Sequence, residues 1–201
     1  MSDACCTPPP PSSDPSYRRI LWIALFANLA MFAVELVASV WSGSTALAAD
    51  AADFLGDSAN YALSLGAIAL GGAWLSRVAL LKGIAMSLYG VAVLAYAAWR
   101  AWLGVPPEPI TMGVVGLLAL AVNFSVGALL YRFREGDANM RSVWLCTRND
   151  VIANIAVLIA AAGVFGTGTI WPDVAVAAML AVLGLTSGRI VIRQARAELG
   201  T

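Results

Sequence analysis

Residues 45–70 read TALAADAADFLGDSANYALSLGAIAL, a run of small and apolar residues broken by Asp50, Asp53 and Asp57. As a helix this stretch rises about 39 Å, enough to cross a hydrocarbon layer of about 30 Å. Each carboxylate at mid-membrane costs about 2.5–3.5 kcal/mol, so three cost about 8–10 kcal/mol before any pairing. Asp53 and Asp57 stand four residues apart, one above the other on a single helix face, and Asp50, Asn60 and Ser64 continue that stripe. Stacked carboxylates repel unless a cation or a proton lies between them. This segment therefore reads as a helix enclosed among other membrane helices, with its acidic stripe turned inward.

The rest of the chain agrees. Its 201 residues are 60% hydrophobic and only 12% charged, with a mean hydropathy of +0.80. Soluble domains carry about a quarter charged residues. Twelve basic and twelve acidic residues cancel, which leaves no basic excess for a nucleic-acid partner. The expected fold is all-α and polytopic. Six apolar segments cover about 20–41, 45–72, 78–99, 110–131, 143–165 and 171–192, separated by SGS, GG, GVPPEP, REGDANMR and GTGTIWP. With the N-terminus in the cytoplasm, Arg18, Arg19, Arg77, Lys82, Arg132, Arg134, Arg141, Arg148, Arg189, Arg193 and Arg196 fall at or near the inner face and Arg100 at the outer one, as the positive-inside rule favours. Both termini are then cytoplasmic, in a bacterial inner membrane. Residues 1–17, rich in Pro and Ser, are expected to be an unstructured tail. Residues 18–196 are expected to form the membrane domain and 197–201 a short tail, with neither a soluble C-terminal domain nor a cleaved signal peptide expected.

The fifth segment repeats the motif of the second. In VWLCTRNDVIANIAVLIAA (143–161), Cys146 and Asp150 stand four apart, flanked by Asn149 and Asn154. Packed face to face, the two segments bring together Asp53, Asp57, Cys146 and Asp150. Three carboxylates and one sulfur suit a tetrahedral d¹⁰ ion such as Zn²⁺, and the thiolate tilts preference toward softer ions such as Cd²⁺. A histidine site is excluded, because the chain has none. The blander readings are that the Asp residues are hydrogen-bonding glue between helices and that Cys146 is a small apolar filler. Asn28 and Glu35 share a face of the first segment and either support the site or line a pathway; for Glu35 a water-facing carboxylate is the alternative. Asp173, just after Pro172, is most simply a favourable charge at the start of its own helix. Cys5 and Cys6, adjacent in the tail, read either as a capture point for a soft metal or as an inert reduced pair. Trp22, Trp41, Trp74, Trp99, Trp102 and Trp171 sit near segment ends as interface anchors.

These motifs resemble the cation diffusion facilitator family. Six helices with both ends inside match its membrane part. The run from Asn28 through Glu35 to SGSTALAAD, followed by Asp50, Asp53 and Asp57, is similar to its opening pattern, and Cys146…Asp150…Asn154 is similar to its fifth-helix pattern, as is Asp173 opening the sixth. Two features depart from that pattern: Cys146 stands where the family has His or Asp, and no cytoplasmic C-terminal domain is expected after the sixth helix. The resemblance implies export of a divalent metal from the cytoplasm in exchange for protons, by alternating access. The metal is cargo and not a resident cofactor, and any homodimer would rest on the helices in the bilayer. Rival readings are an intramembrane metal-dependent enzyme acting on lipid, a channel, and a metal sensor reading through Cys5 and Cys6. No Gly–Arg phosphate-binding signature follows Asp53, which counts against the enzyme.

Overall fold

The computed structural model describes residues 15–67, 72–133 and 138–200. They form six helices: α1 (Pro15–Ser42), α2 (Thr45–Ala67), α3 (Gly72–Leu103), α4 (Pro109–Tyr131), α5 (Ala138–Thr167) and α6 (Trp171–Leu199). Five are long and apolar enough to cross a membrane. The other, α2, has the length, at 23 residues, but carries the three Asp residues.

The packing explains how a helix so polar is kept. The most extensive contacts pair α3 with α6, α1 with α2 and α4 with α5, while α2 also touches α3, α5 and α6. Every described side chain of α2 except Ala62 is at least partly covered. The large exposed apolar side chains lie on the other helices, such as Val37, Val40, Leu88, Val114, Phe124, Ile159 and Phe165. Five helices thus present Leu, Val, Ile and Phe to lipid, and the sixth keeps its carboxylates inside.

Short links make successive helices antiparallel, and hydrogen bonds tie their ends into two layers. At one end, Glu108 N donates to Ser42 O at 2.9 Å, joining the start of α4 to the end of α1. The same end holds the turn between α1 and α2, where Gly43 has φ +72°. The left-handed backbone requires glycine there, and the Arg100 guanidinium lies over it. Trp41, Trp99, Trp102 and Trp171 are exposed at this end, an aromatic belt of the kind found at the membrane surface. At the other end Tyr17 packs edge-on against Phe133 at 5.2 Å. The start of α1 and the end of α6 share this second end. The basic residues Arg18, Arg19, Arg77, Arg132, Arg189, Arg193 and Arg196 gather there, as expected of a cytoplasmic face.

Helix α3 meets α6 where glycines allow it. A Cβ on Gly83 would lie 2.8 Å from Ile192 and 3.0 Å from Gly188 O, and one on Gly188 would lie 2.6 Å from the Ser87 hydroxyl and 3.0 Å from Gly83 O. Small residues on both sides permit this backbone approach.

Several helices outrun the apolar segments. Helix α1 starts at Pro15, inside the stretch expected to be unstructured, with Pro at a favoured first position and Tyr17 fully buried. Helix α5 takes in Ala138 to Arg141, and α6 continues through Arg193 and Arg196 to Leu199. Hydropathy marks the hydrocarbon layer, whereas the helices extend past it into the aqueous boundary. Residues 1–14, with Cys5 and Cys6, lie outside the described residues, as do 68–71, 134–137 and 201.

Candidate metal centre

Three polar contacts clasp α2 to α5 in opposite chain order. Asp50 accepts hydrogen bonds from Asn154 Nδ2 at 3.0 and 3.1 Å. Asp57 meets Asp150 at hydrogen-bonding range. Tyr61 and Thr147 hydroxyls lie 3.0 Å apart. The acidic stripe of α2 therefore faces the Asp150 face of α5, as the matching spacing implies. Asp57 lies twelve residues from Thr45 and ten from Ala67, so its contact with Asp150 falls about 18 Å from one end of α2, near the middle of that helix's described length.

Asp53 is partly buried and close enough to Asp50 and Asp57 to feel both charges. Asn60 also reaches Asp57, and it accepts a hydrogen bond from the Lys82 ammonium. The side chains of Cys146 and Asn149 lie outside the described residues, although the backbone there is helical. Among the described residues, no three of Asp, Glu, Cys or His gather closely enough to hold one ion. The described part of the centre is thus a pair of carboxyl groups, one from each helix, with Asp53 one turn along α2.

Lys82 is a further contributor: counted among the residues at or near the inner face, it is largely buried on α3, and its charge acts on Asp57. A signal was available: it is a single ammonium well inside an apolar run, five residues past Arg77. Such a residue seldom stays in lipid without a partner.

Asp173 needs a correction of role. It does not chiefly serve its own helix. Fully buried, it accepts from Ser44 Oγ at 2.6 Å, Thr45 N at 2.8 Å, Thr45 Oγ1 at 2.6 Å and Ala46 N at 3.0 Å. A carboxylate on α6 thereby caps the N-terminus of α2, where backbone N–H groups lack intrahelical partners. It fixes the helix that carries Asp53 and Asp57. The water-facing alternative for Glu35 also falls, because Glu35 is fully buried. Asn28 is buried as well, but its Nδ2 donates to Ala24 O at 2.8 Å on its own helix. Asn123 Nδ2 donates to Asn154 Oδ1 at 3.3 Å, which extends the polar line to α4.

Residues 21–199 match the family model of the cation efflux transmembrane domain. The metal cation efflux system protein CzcD of Cupriavidus metallidurans is 28% identical over 190 residues, covering 88% of this chain and 60% of that protein. The cation efflux system protein CzcD of an Alcaligenes species is 29% identical over 177 residues, 81% of this chain and 55% of that one. A Bacillus velezensis protein named cadmium, cobalt and zinc/H(+)-K(+) antiporter is 25% identical over 189 residues, covering 86% of this chain and 60% of its own. This chain therefore spans a little over half the length of these relatives.

Proposed function

As this chain belongs to the cation efflux family, a family of multi-pass membrane transporters and not of enzymes, we propose that it exports a divalent transition-metal ion, Zn²⁺ or Cd²⁺, from the cytoplasm in exchange for protons. The observation that carries this reading is the meeting of Asp57 and Asp150 between α2 and α5, near the middle of α2. Two carboxyl groups brought together there are costly unless they hold something positive. Asp53 and Cys146, each four residues from a member of that pair on its own helix, complete a ligand set of three carboxylates and a thiolate. The relatives named for efflux of cadmium, cobalt and zinc support the ion class.

Each ligand must lose its proton before it binds the metal, so metal and protons compete for the same atoms. That competition is the coupling step. Protons arriving from outside displace the metal, and metal from the cytoplasm displaces protons. Movement of the helices about the α2–α5 clasp exposes the centre to each side in turn. Asn60 and Lys82 adjust the field at Asp57, and Asp173 fixes α2. Asn149 and Asn154 flank the α5 ligands as supporting side chains. Cys5 and Cys6 belong to the same reading as a capture point on the cytoplasmic side, and a homodimer through the helices as its assembly in the bilayer.

Uptake of Zn²⁺ and Cd²⁺ into proteoliposomes under an imposed pH gradient tests this. The expected result is gradient-driven uptake that Asp150→Ala and Asp57→Asn abolish. Uptake by the wild type that ignores the gradient would remove the exchange, and no uptake of either ion by a folded wild type would remove the transport reading.

A further inference from the structure

Glu35 on α1 is fully buried, and neither of its carboxyl oxygens receives a hydrogen bond from a donor group. What it does meet, at hydrogen-bonding range, is the carboxyl group of Asp50 on α2, itself fully buried. Asn154 of α5 donates to both Asp50 oxygens, and Asn123 of α4 donates to Asn154. Four helices thus converge on two carboxyl groups in contact. The other titratable groups that act on Glu35 are Asp53 and, from α3, the Tyr89 hydroxyl. Among the described residues no cationic side chain acts on the pair, and the charge of Lys82 acts on Asp57 instead. Asp50 and Asp57 are seven residues apart, about 10 Å along α2, so an ion held between Asp57 and Asp150 is beyond the bonding reach of Asp50.

Two ionised carboxylates in contact repel, and inside the membrane each also bears the cost of leaving water. A single positive charge between them relieves both. The donors are oxygen only, which favours hard ions over soft metals. Two of the four carboxyl oxygens are already engaged by Asn154, too few left over for the six to eight oxygen ligands of an ion such as Ca²⁺. We infer that Glu35 and Asp50 form a second cation site, separate from the metal centre, for one monovalent ion: a proton shared by the two carboxyl groups or an alkali ion held by their oxygens. Its existence does not depend on transport. Its role does rest on the exporter reading, in which its occupant is an ion exchanged for the metal.

The test uses the full chain in lipid nanodiscs. Thermal midpoints are compared in sodium, potassium and choline chloride at equal ionic strength, and the infrared carbonyl band of buried protonated carboxyl groups is recorded without metal. An alkali occupant raises the midpoint over choline; a proton gives a carbonyl band with no alkali effect. Part of either signal is expected to be lost in Glu35→Gln and kept in Asp57→Asn, whatever the carboxyl groups of the metal centre add to the carbonyl band. Where Glu35→Gln does not fold, Asp50→Asn carries the same expectation. Neither signal in the wild type, or signals that Glu35→Gln leaves undiminished, overturns the site. A chain that moves no metal but shows the Glu35-dependent signal keeps the site and loses only its role in exchange. A chain that moves metal and shows no such signal loses the site alone.

Discussion

Replacing Asp173 by alanine removes the acceptor for four hydrogen bonds at the start of α2. The two hydroxyls, of Ser44 and Thr45, can turn to other acceptors. The backbone N–H groups of Thr45 and Ala46 cannot, and each buried unsatisfied donor costs about 1–3 kcal/mol. Loss of the negative charge at a helix N-terminus adds up to about 2 kcal/mol in a buried setting. Together these predict a destabilisation of about 2–8 kcal/mol for Asp173→Ala, and about 1–3 kcal/mol for Asp173→Asn, which keeps one oxygen. Were Asp173 merely a favourable charge on its own helix, the cost would be about 0.3–1 kcal/mol. Reversible unfolding in mixed micelles, followed by helical circular dichroism, separates the two. A double-mutant cycle with Thr45→Val sharpens the test, because residues sharing a hydrogen bond show non-additive costs. A cost below about 1 kcal/mol, additive with Thr45→Val, would refute the cap and with it the claim that α6 positions the helix carrying Asp53 and Asp57.

Other expectations follow from single contacts. Gly188→Ala forces a methyl group against Gly83 O and the Ser87 hydroxyl, and overpacking of this kind costs about 1–3 kcal/mol; Gly184→Ala, inside α6 with nothing within 4 Å, should raise the unfolding midpoint, because alanine favours a helix interior by about 1 kcal/mol. Glu108 caps α4, accepting from Ile110 N at 2.9 Å and Thr111 N at 2.6 Å. Those bonds, led by one from the Thr111 side chain, hold its carboxyl below the ordinary carboxylate range. A depressed folded value means that the stabilisation is present above the unfolded pKa, about 4.3, and fades as pH falls through the folded one. The stability gap between wild type and Glu108→Ala should therefore be about 1 kcal/mol at neutral pH and close in acid, as thermal unfolding across pH will record. Cys146→Asp replaces a soft ligand by a hard one, so the ratio of Cd²⁺ to Zn²⁺ transport should fall; an unchanged ratio in competition uptake would remove the sulfur from the ligand set.

Much of the site was legible because its geometry is local. Asp53 and Asp57, like Cys146 and Asp150, lie four apart, and helical periodicity alone puts each pair on one face. That the Asp57 and Asp150 faces meet follows from the cost of leaving either in lipid. What escaped the reading lies between distant segments. Asp173 caps a helix that begins 128 residues earlier in the chain, and nothing in WPD at 171–173 names that partner. Glu35 was visible as a charge in an apolar run, but its burial against Asp50 depends on how α1 packs on α2. Lys82 was likewise visible as a charge in an apolar run, but its burial against Asn60 depends on how α3 packs on α2. Helix ends were misjudged for a related reason: Ala138 to Arg141 and Arg193 to Leu199 are helical yet polar, and hydropathy reports the solvent rather than the backbone.

The central claim is that Asp53, Asp57, Cys146 and Asp150 hold the transported ion, and X-ray absorption of the Cd²⁺-loaded chain tests it most directly. Cys5→Ser and Cys6→Ser, introduced together, leave Cys146 as the one thiol. The account predicts one sulfur and several oxygen neighbours around Cd²⁺, with the sulfur lost in Cys146→Ser and the ion lost in Asp57→Asn. A shell of oxygen alone, or an unchanged spectrum in Asp57→Asn, would contradict it.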